Sequence, residues 1–289
     1  MGKIIIVLLL ALCSLVLGKK NLTIHLFAES HNDAGWKYTA EEYYQMKTRK
    51  IFTSVIDSLD EFQNMSFQIA DLMYFMRYYD EQSEEKQNVT KKLIEQGRLV
   101  FINGGWVMSD EAVPSYKQSL LQFRLGLDVM NSTFGKRATI GWQSDSFGHS
   151  AVTIANMHML GYEFFIGQRI TIDFKNKLKN AYGLHFFWQG HQVSKDKSDS
   201  NLLSYITQFH YGTPDFFMEP YFSIFRRFNW KVDNFFTTLI DPAIKGLNAM
   251  TKNNISEYHV LTSFSGDFGY IEADKVFSEM PDFTKSLIE

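Results

Sequence analysis

The sequence predicts an α/β protein built on a parallel sheet, open or closed into a barrel. Short β-type runs alternate with amphipathic stretches along most of the chain. Several of those runs end abruptly in His or Asp beside Gly. The composition, 45% hydrophobic and 16% aromatic over 289 residues, belongs to a packed chain with a substantial core.

Residues 1–18 differ in kind from the rest. Lys3 precedes the apolar run Ile4 to Leu17, and Gly18 follows, the layout of a secretory signal peptide cleaved near Gly18. The rival reading is an uncleaved membrane anchor, but the run is short for a bilayer span and ends at Gly18-Lys19-Lys20, so the mature chain, 19–289, is expected to keep no stable membrane span. The only cysteine, Cys13, falls inside the leader, so neither disulfides nor thiolate chemistry are expected after it. Asn-X-Ser/Thr sequons at Asn21, Asn64, Asn88, Asn131 and Asn254 point to a glycoprotein of the secretory pathway. A net charge of −3 gives no reason to expect a nucleic-acid partner.

Taken in order, Ile24 to Ala28 reads as the first strand. Residues 40–62 carry Tyr43, Tyr44, Ile51, Phe52, Val55, Ile56, Leu59 and Phe62 at helical spacing. Phe67 to Ala70 is a short strand, and Leu72 to Tyr79 turns into a helix. Residues 84–96 form a helix ended by Gly97, and Leu99 to Ile102 is a strand closing in Asn103-Gly-Gly-Trp106. A helix over 115–134, the strand 138–142, a helix over 150–160 and the strand Phe164 to Ile166 follow. Beyond Gly190, residues 191–201 read as a polar surface loop and Leu202 to Phe209 as a strand. The aromatic region 214–230 resists assignment, residues 233–252 read as helix, and Tyr258 to Phe264 as a final strand.

The chemistry-bearing residues share one context. His31 and Asp33 follow the first strand, Asp145 follows Ile140-Gly-Trp142, and Asp267 follows Val260 to Phe264. In a parallel sheet such strand ends lie on one rim. His31 and Asp33 alternate on an extended backbone, and imidazole with carboxylate suits Zn²⁺ and similar ions. Two further carboxylates supply a ligand and a general acid or base. Each group also has a plainer reading. Asp33 fits a cap for a helix near Thr39, Asp145 an N-cap before Ser150, and Gly266-Asp267 a turn. His25, His158, His185, His191, His210 and His259 read as core or surface residues, and His149 as a neighbour supporting Asp145.

Four ordered blocks resemble the class II α-mannosidases of glycoside hydrolase family 38, the lysosomal branch best. They are His31-Asn-Asp33-Ala-Gly-Trp36, Gly104-Gly-Trp-Val-Met-Ser-Asp-Glu-Ala112, Gly141-Trp-Gln-Ser-Asp145-Ser-Phe-Gly-His-Ser150 and Gly266-Asp-Phe-Gly-Tyr-Ile-Glu-Ala273. The resemblance spans about residues 22–285. It implies a distorted, parallel-stranded β/α barrel and a zinc-dependent retaining α-mannosidase acting on mannose-containing N-glycan-type oligosaccharides. Carried over by position, His31, Asp33 and Asp145 ligate zinc, Asp145 is also the nucleophile, and Asp267 is the general acid/base. Trp36 forms the floor under the sugar with Phe147 beside it, and Arg169 holds the nucleophile side. Retaining hydrolysis needs two such carboxyl groups, about 5 Å apart.

Two positions depart from the family pattern. Glu29 stands where a His is usual, and Ser146 replaces the Pro of Asp-Pro-Phe-Gly. The family's fourth zinc ligand, in a His-His-Asp-Ala-type motif, and its helical and β domains lie downstream of Glu289, so the resemblance implies a barrel truncated at its C-terminus. Lysosome, vacuole and secretion are equally open destinations. The alternative to an active enzyme is a fragment or paralogue that binds metal or mannoside without turnover. A polysaccharide-deacetylase-like hydrolase is a third reading, and the Asp267 block argues against it.

Overall fold

The structure, a computed structural model, describes residues 5–8, 11–17, 20–190, 201–208, 210–212, 240–250 and 257–286. Among these, the strands form three sheets. In the first, β1 (Ile5–Leu8), β2 (Ala11–Leu17) and β3 (Lys20–Ala28) run antiparallel in turn, and β10 (Glu257–Phe264) pairs parallel with β3. The segment read as a leader thus lines the outer edge of β3 in the full chain. In the second sheet, β4 (Phe67–Asp71) pairs parallel with β5 (Leu99–Gly105). In the third, β6 (Ile140–Gln143), β7 (Phe164–Gly167) and β9 (Asn201–Ile206) are parallel, and β8 (His185–Gln189) is antiparallel to β9.

The expected parallel pairing is present, but a continuous ring of strands is not formed among the described residues. Only an isolated parallel bridge, Glu29 to Gln68, joins β3 to β4. At the seam between β5 and β6 a side chain stands in for backbone pairing. Asn103 adopts a left-handed φ of 55°, its carbonyl accepts from the Tyr162 hydroxyl, and its Oδ1 accepts the Trp142 N–H at 3.4 Å. β8 is a further departure from an all-parallel arrangement.

Period-two alternation sorts the strand residues between two cores. Leu22, Ile24, Leu26 and Ala28 of β3 enter the large cluster shared with the helices, whereas Phe27 enters a second cluster. That inner cluster takes Ala70, Ile102, Trp142, Ile166 and Ile206 from β4, β5, β6, β7 and β9. Phe27 stacks on the fully buried Trp142, centroids 4.6 Å apart. The strands therefore enclose an apolar plug, and the loops at their C-terminal ends sit above it.

The helices follow their capping residues. α1 (Ala40–Tyr43) starts at a Thr39/Glu42 capping box. The continuous helix expected over 40–62 is broken by a π turn, Tyr44–Thr48, before α2 (Arg49–Glu61). Arg98 ends α2 from the side, its guanidinium bonding the carbonyls of Leu59, Phe62 and Met65. α3 (Leu72–Asp80), α4 (Glu84–Glu95), α5 (Tyr116–Phe134) and α6 (Ala151–Met159) lie where the periodicity puts them. α7 (Ile172–Tyr182), β8 and α9 (Ala273–Ser286) carry no expectation from the sequence, and α8 (Asp241–Met250) falls within the expected 233–252. The loop expected over 191–200 and the unassigned region 214–230 lie outside the described residues. No helix among the described residues is long and apolar enough to cross a membrane.

Two packing features generate predictions. α5 lies directly on the end of β5 at Gly126, where an added Cβ would meet the Gly104 carbonyl oxygen, Gly105 C at 2.6 Å and Trp106 N at 2.7 Å. Gly126→Ala is expected to cost about 2 kcal/mol despite its gain in helix propensity, measured as a lower urea midpoint. An unchanged midpoint would mean that the two backbones are not in contact.

Behind β6, His149 donates from Nδ1 to Gln143 Oε1 at 2.7 Å, leaving Nε2 unpartnered near Gly167 and Phe165. Burial lowers this imidazole from 6.5 to about 4. Its neutral form contributes full stability above pH 6.5, and that contribution is lost as pH falls towards 4, because the unfolded chain takes up the proton first. His149→Gln should therefore shift the unfolding free energy, relative to wild type, by up to about 3 kcal/mol in the variant's favour between pH 7 and pH 4. Denaturation at several pH values checks this, and a pH-independent difference would refute it.

Candidate active site

The strand pairing of β3 with β10 continues one step past both strands. His31 N–H donates to the Gly266 carbonyl at 3.1 Å and Phe268 N–H to the His31 carbonyl at 2.8 Å, a parallel bridge between His31 and Asp267. The main chain thus places an imidazole and a carboxylate side by side. Asp33 follows in the next turn, where its carbonyl accepts the Tyr74 hydroxyl at 2.8 Å.

From the third sheet, Asp145 follows β6, Arg169 follows β7 and Tyr211 lies beyond β9. The loop carrying Asp145 lacks the stiffening Pro, and Ser146 anchors it instead: its buried hydroxyl donates to the Ser109 carbonyl at 3.0 Å. Glu111 ties the same loop from the other side, accepting from Gln143 Nε2 at 2.7 Å and Ser150 N–H at 2.9 Å.

These segments enclose a cavity of about 470 Å³. His31, Asp33, Trp36, Asp145, Phe147, Arg169 and Asp267 all line it, so every sequence-predicted site residue reaches one space. Trp36 and Phe147 are two-thirds exposed at 67% and 66%, so neither is a core residue. His31 Nε2 lies 3.4 Å from Asp33 Oδ1 and 4.0 Å from Asp145 Oδ2. Arg169 grips Asp145 Oδ1 with Nη2 and with Nε at 2.7 Å, while its guanidinium covers the Phe147 ring at 4.7 Å.

Tyr211 was not singled out by the sequence. Its hydroxyl donates to Asp267 Oδ1 at 2.6 Å and its ring lies 4.8 Å from that of His31. Burial, then the bond to Asp267, pushes its phenol well above the usual range, so it acts as a donor. His210, read as a core or surface residue, instead brings Nε2 to 4.0 Å from Asp145 Oδ1. His149 is tied to Gln143 and does not line the cavity.

Beneath the cavity, His31 is surrounded by acids. Glu29 is 1% exposed, with Ser265 donating to Oε2 at 2.7 Å and Oε1 unpartnered. Burial pushes both Glu29 and Asp71 up to about 7, partly offset by His31. Burial opposes charge on His31 itself, but the Asp33 hydrogen bond with the charges of Glu29, Asp33 and Asp71 outweighs it and lifts the ring to about 9. Asp71 ends β4 as Asp267 follows β10, so the strand-end rule extends to it.

Among the described residues no group of three His, Cys, Asp or Glu side chains is drawn in tightly enough to hold an ion as it stands. The donor chemistry nevertheless fits a borderline divalent cation: one imidazole nitrogen facing two carboxylate oxygens. Ligands about 2 Å from a tetrahedral ion lie about 3.3 Å apart. The His31–Asp33 separation of 3.4 Å matches that span, and the 4.0 Å to Asp145 exceeds it while Arg169 holds the other Asp145 oxygen.

Residues 21–267 match the Glycosyl hydrolases family 38 N-terminal domain. Alpha-mannosidase F of Dictyostelium discoideum is 28% identical over 271 residues, covering 92% of this chain and 26% of that protein. The lysosomal alpha-mannosidase of the same organism is 31% identical over 273 residues, covering 90% of this chain and 26% of its own length. The fold matches an alpha-mannosidase from Enterococcus faecalis V583 with a TM-score of 0.61 at 15% identity, over 90% of this chain and 27% of that one. The chain thus spans about a quarter of the length of these relatives. By the profile spanning most of its length, it belongs to the N-terminal domain family of the family 38 glycosyl hydrolases.

Proposed function

We propose that this chain carries the sugar-cleaving site of a zinc-dependent, retaining α-mannosidase acting on terminal α-mannosyl residues of N-glycan-type oligosaccharides. The supporting observation is convergence: His31 and Asp33 beyond β3, Asp145 beyond β6 and Asp267 beyond β10 line one cavity together with Trp36, Phe147 and Arg169. The three sheets are read as arcs of one distorted barrel whose upper rim is this cavity.

In that reading Asp145 attacks the anomeric carbon and forms the glycosyl-Asp intermediate. Arg169 fixes its rotamer and stabilises its charge. Asp267 gives a proton to the leaving oxygen and then takes one from the attacking water. Tyr211, bonded to Oδ1, leaves Oδ2 of Asp267 for that transfer. Trp36 and Phe147 bury the apolar faces of the sugar ring. His31, Asp33 and Asp145 would hold the zinc ion, which when bound supplies Lewis-acid attraction for sugar oxygens.

The same reading takes residues 1–18 as a leader and, with the sequons, the secretory pathway as the route, ending in the lysosome or vacuole or in secretion. Asn64, Asn88 and Asn131 are exposed, as glycan acceptors need to be. A second reading, metal or mannoside held without turnover, is favoured by the Arg169 grip on Asp145, which competes with a cation for that carboxylate.

An aryl α-mannoside assay of the secreted chain, with zinc and with a chelator, tests the reading directly. Asp145→Asn should lower turnover about a thousandfold or more with the circular dichroism spectrum unchanged. Asp267→Asn should be comparably damaging for a poor leaving group and much less so for the first step with dinitrophenolate, which leaves without a proton. Near wild-type turnover in Asp145→Asn would remove the mechanism; zinc-dependent binding with no turnover in the unaltered chain would select the second reading.

A further inference from the structure

Ser144 lies between Gln143 and Asp145, is 0% exposed, and has no role in the chemistry above. Its Oγ is 3.1 Å from His31 Nδ1, on the side of the ring away from Asp33 and Asp145. The same hydroxyl donates to Met108 Sδ at 3.4 Å, and the Ser144 N–H reaches that sulfur at 3.3 Å. A hydroxyl has one proton. If it is spent on the thioether, the oxygen is left to accept, and Nδ1 must carry the hydrogen. In the neutral ring, the form a cation would bind, Nε2, which faces the two carboxylates, is then the nitrogen left to offer a lone pair.

We propose that Ser144 is a positioning residue that, with Met108, fixes His31 in its Nδ1–H form so that Nε2 is aimed at the cation. The inference rests on the metal-site reading given above and adds to it the element that chooses the ligating nitrogen. Reversing the hydrogen bond would put the proton on Nε2, where it would point at the place an ion must occupy. Met108 sets the direction of the bond. Replacing its sulfur by a methylene branch of similar volume leaves the serine proton without an acceptor and lets it turn towards Nδ1.

Co²⁺ titration of the full chain, followed by the visible d–d absorption, tests this without reference to turnover. The unaltered chain should show a low-symmetry Co²⁺ band that His31→Ala abolishes. Ser144→Ala should weaken Co²⁺ affinity about ten- to a hundredfold, the range for loss of a ligand's supporting hydrogen bond. Met108→Leu should weaken it in the same direction, and adding it to Ser144→Ala should cost nothing more, since both act through one bond. Ser144→Ala binding Co²⁺ like the unaltered chain would overturn the assignment of Ser144 alone. Additive losses, or no loss in Met108→Leu, would overturn the coupling; that variant also keeps the test alive should Ser144→Ala fold poorly. No Co²⁺ band in the unaltered chain, or one indifferent to His31→Ala, would overturn the metal site and Ser144 with it.

Discussion

The site depends on one main-chain contact, the parallel bridge between His31 and Asp267. Two backbone hydrogen bonds, His31 N–H to Gly266 O and Phe268 N–H to His31 O, hold together segments from opposite ends of the chain. Each bond alone contributes only about 1 kcal/mol. Together they extend an eight-residue parallel ladder, from Asn21 paired with Glu257 to Ala28 paired with Phe264, so their geometry is set by the sheet and not by the loops. Side chains anchored to a rigid ladder are held to the tolerance that the proposed acid and base roles require. Tyr211 strengthens the link, since it touches the His31 ring and bonds the Asp267 carboxylate at once.

Across the cavity the same logic acts through the third sheet. β6 and β7 pair in register from Ile140 with Phe164 to Gln143 with Gly167, which fixes the offset between Asp145 and Arg169 two residues beyond. The guanidinium then works twice, on the Asp145 carboxylate and on the Phe147 ring. The charges below are less balanced. Glu29, Asp33 and Asp71 crowd one imidazole, and the unpartnered Oε1 of Glu29 and Oδ1 of Asp71 show that hydrogen bonds do not absorb the excess. A bound cation would relieve that crowding, which makes the metal reading electrostatically coherent.

The sequence was legible where one signal decided the outcome. His31, Asp33, Asp145 and Asp267 share a strand-end position, and a parallel sheet has one C-terminal rim, so their meeting followed from topology. Tyr211 and Ser144 were illegible for different reasons. Tyr211 stands in a region without clear periodicity. The use of Ser144 depends on which side of the His31 ring faces it, a fact no spacing encodes. α7 escaped notice because Leu178 is nearly alone among its residues in being buried, so it carries little helical periodicity. The π turn at Tyr44–Thr48 escaped because adjacent Tyr43 and Tyr44 both face inward, which a regular 3.6-residue pattern does not anticipate.

The two departures from the family pattern have different physical consequences. Proline stiffens a loop by narrowing its unfolded ensemble; serine at 146 gives up that gain. The Ser146 bond to the Ser109 carbonyl restores the restraint enthalpically, and it does so by tying the loop to the segment that also supplies Met108 and Glu111. The position of Asp145 is thereby coupled to β5 and its following loop rather than to its own backbone alone. Glu29 is only half compensated: it is buried, Ser265 donates to one oxygen while the other lacks a partner, and its charge bears on His31. Of the two substitutions, it is Glu29 that alters the chemistry of the site, because it changes the field at the imidazole while Ser146 changes only how a carboxylate is held in place.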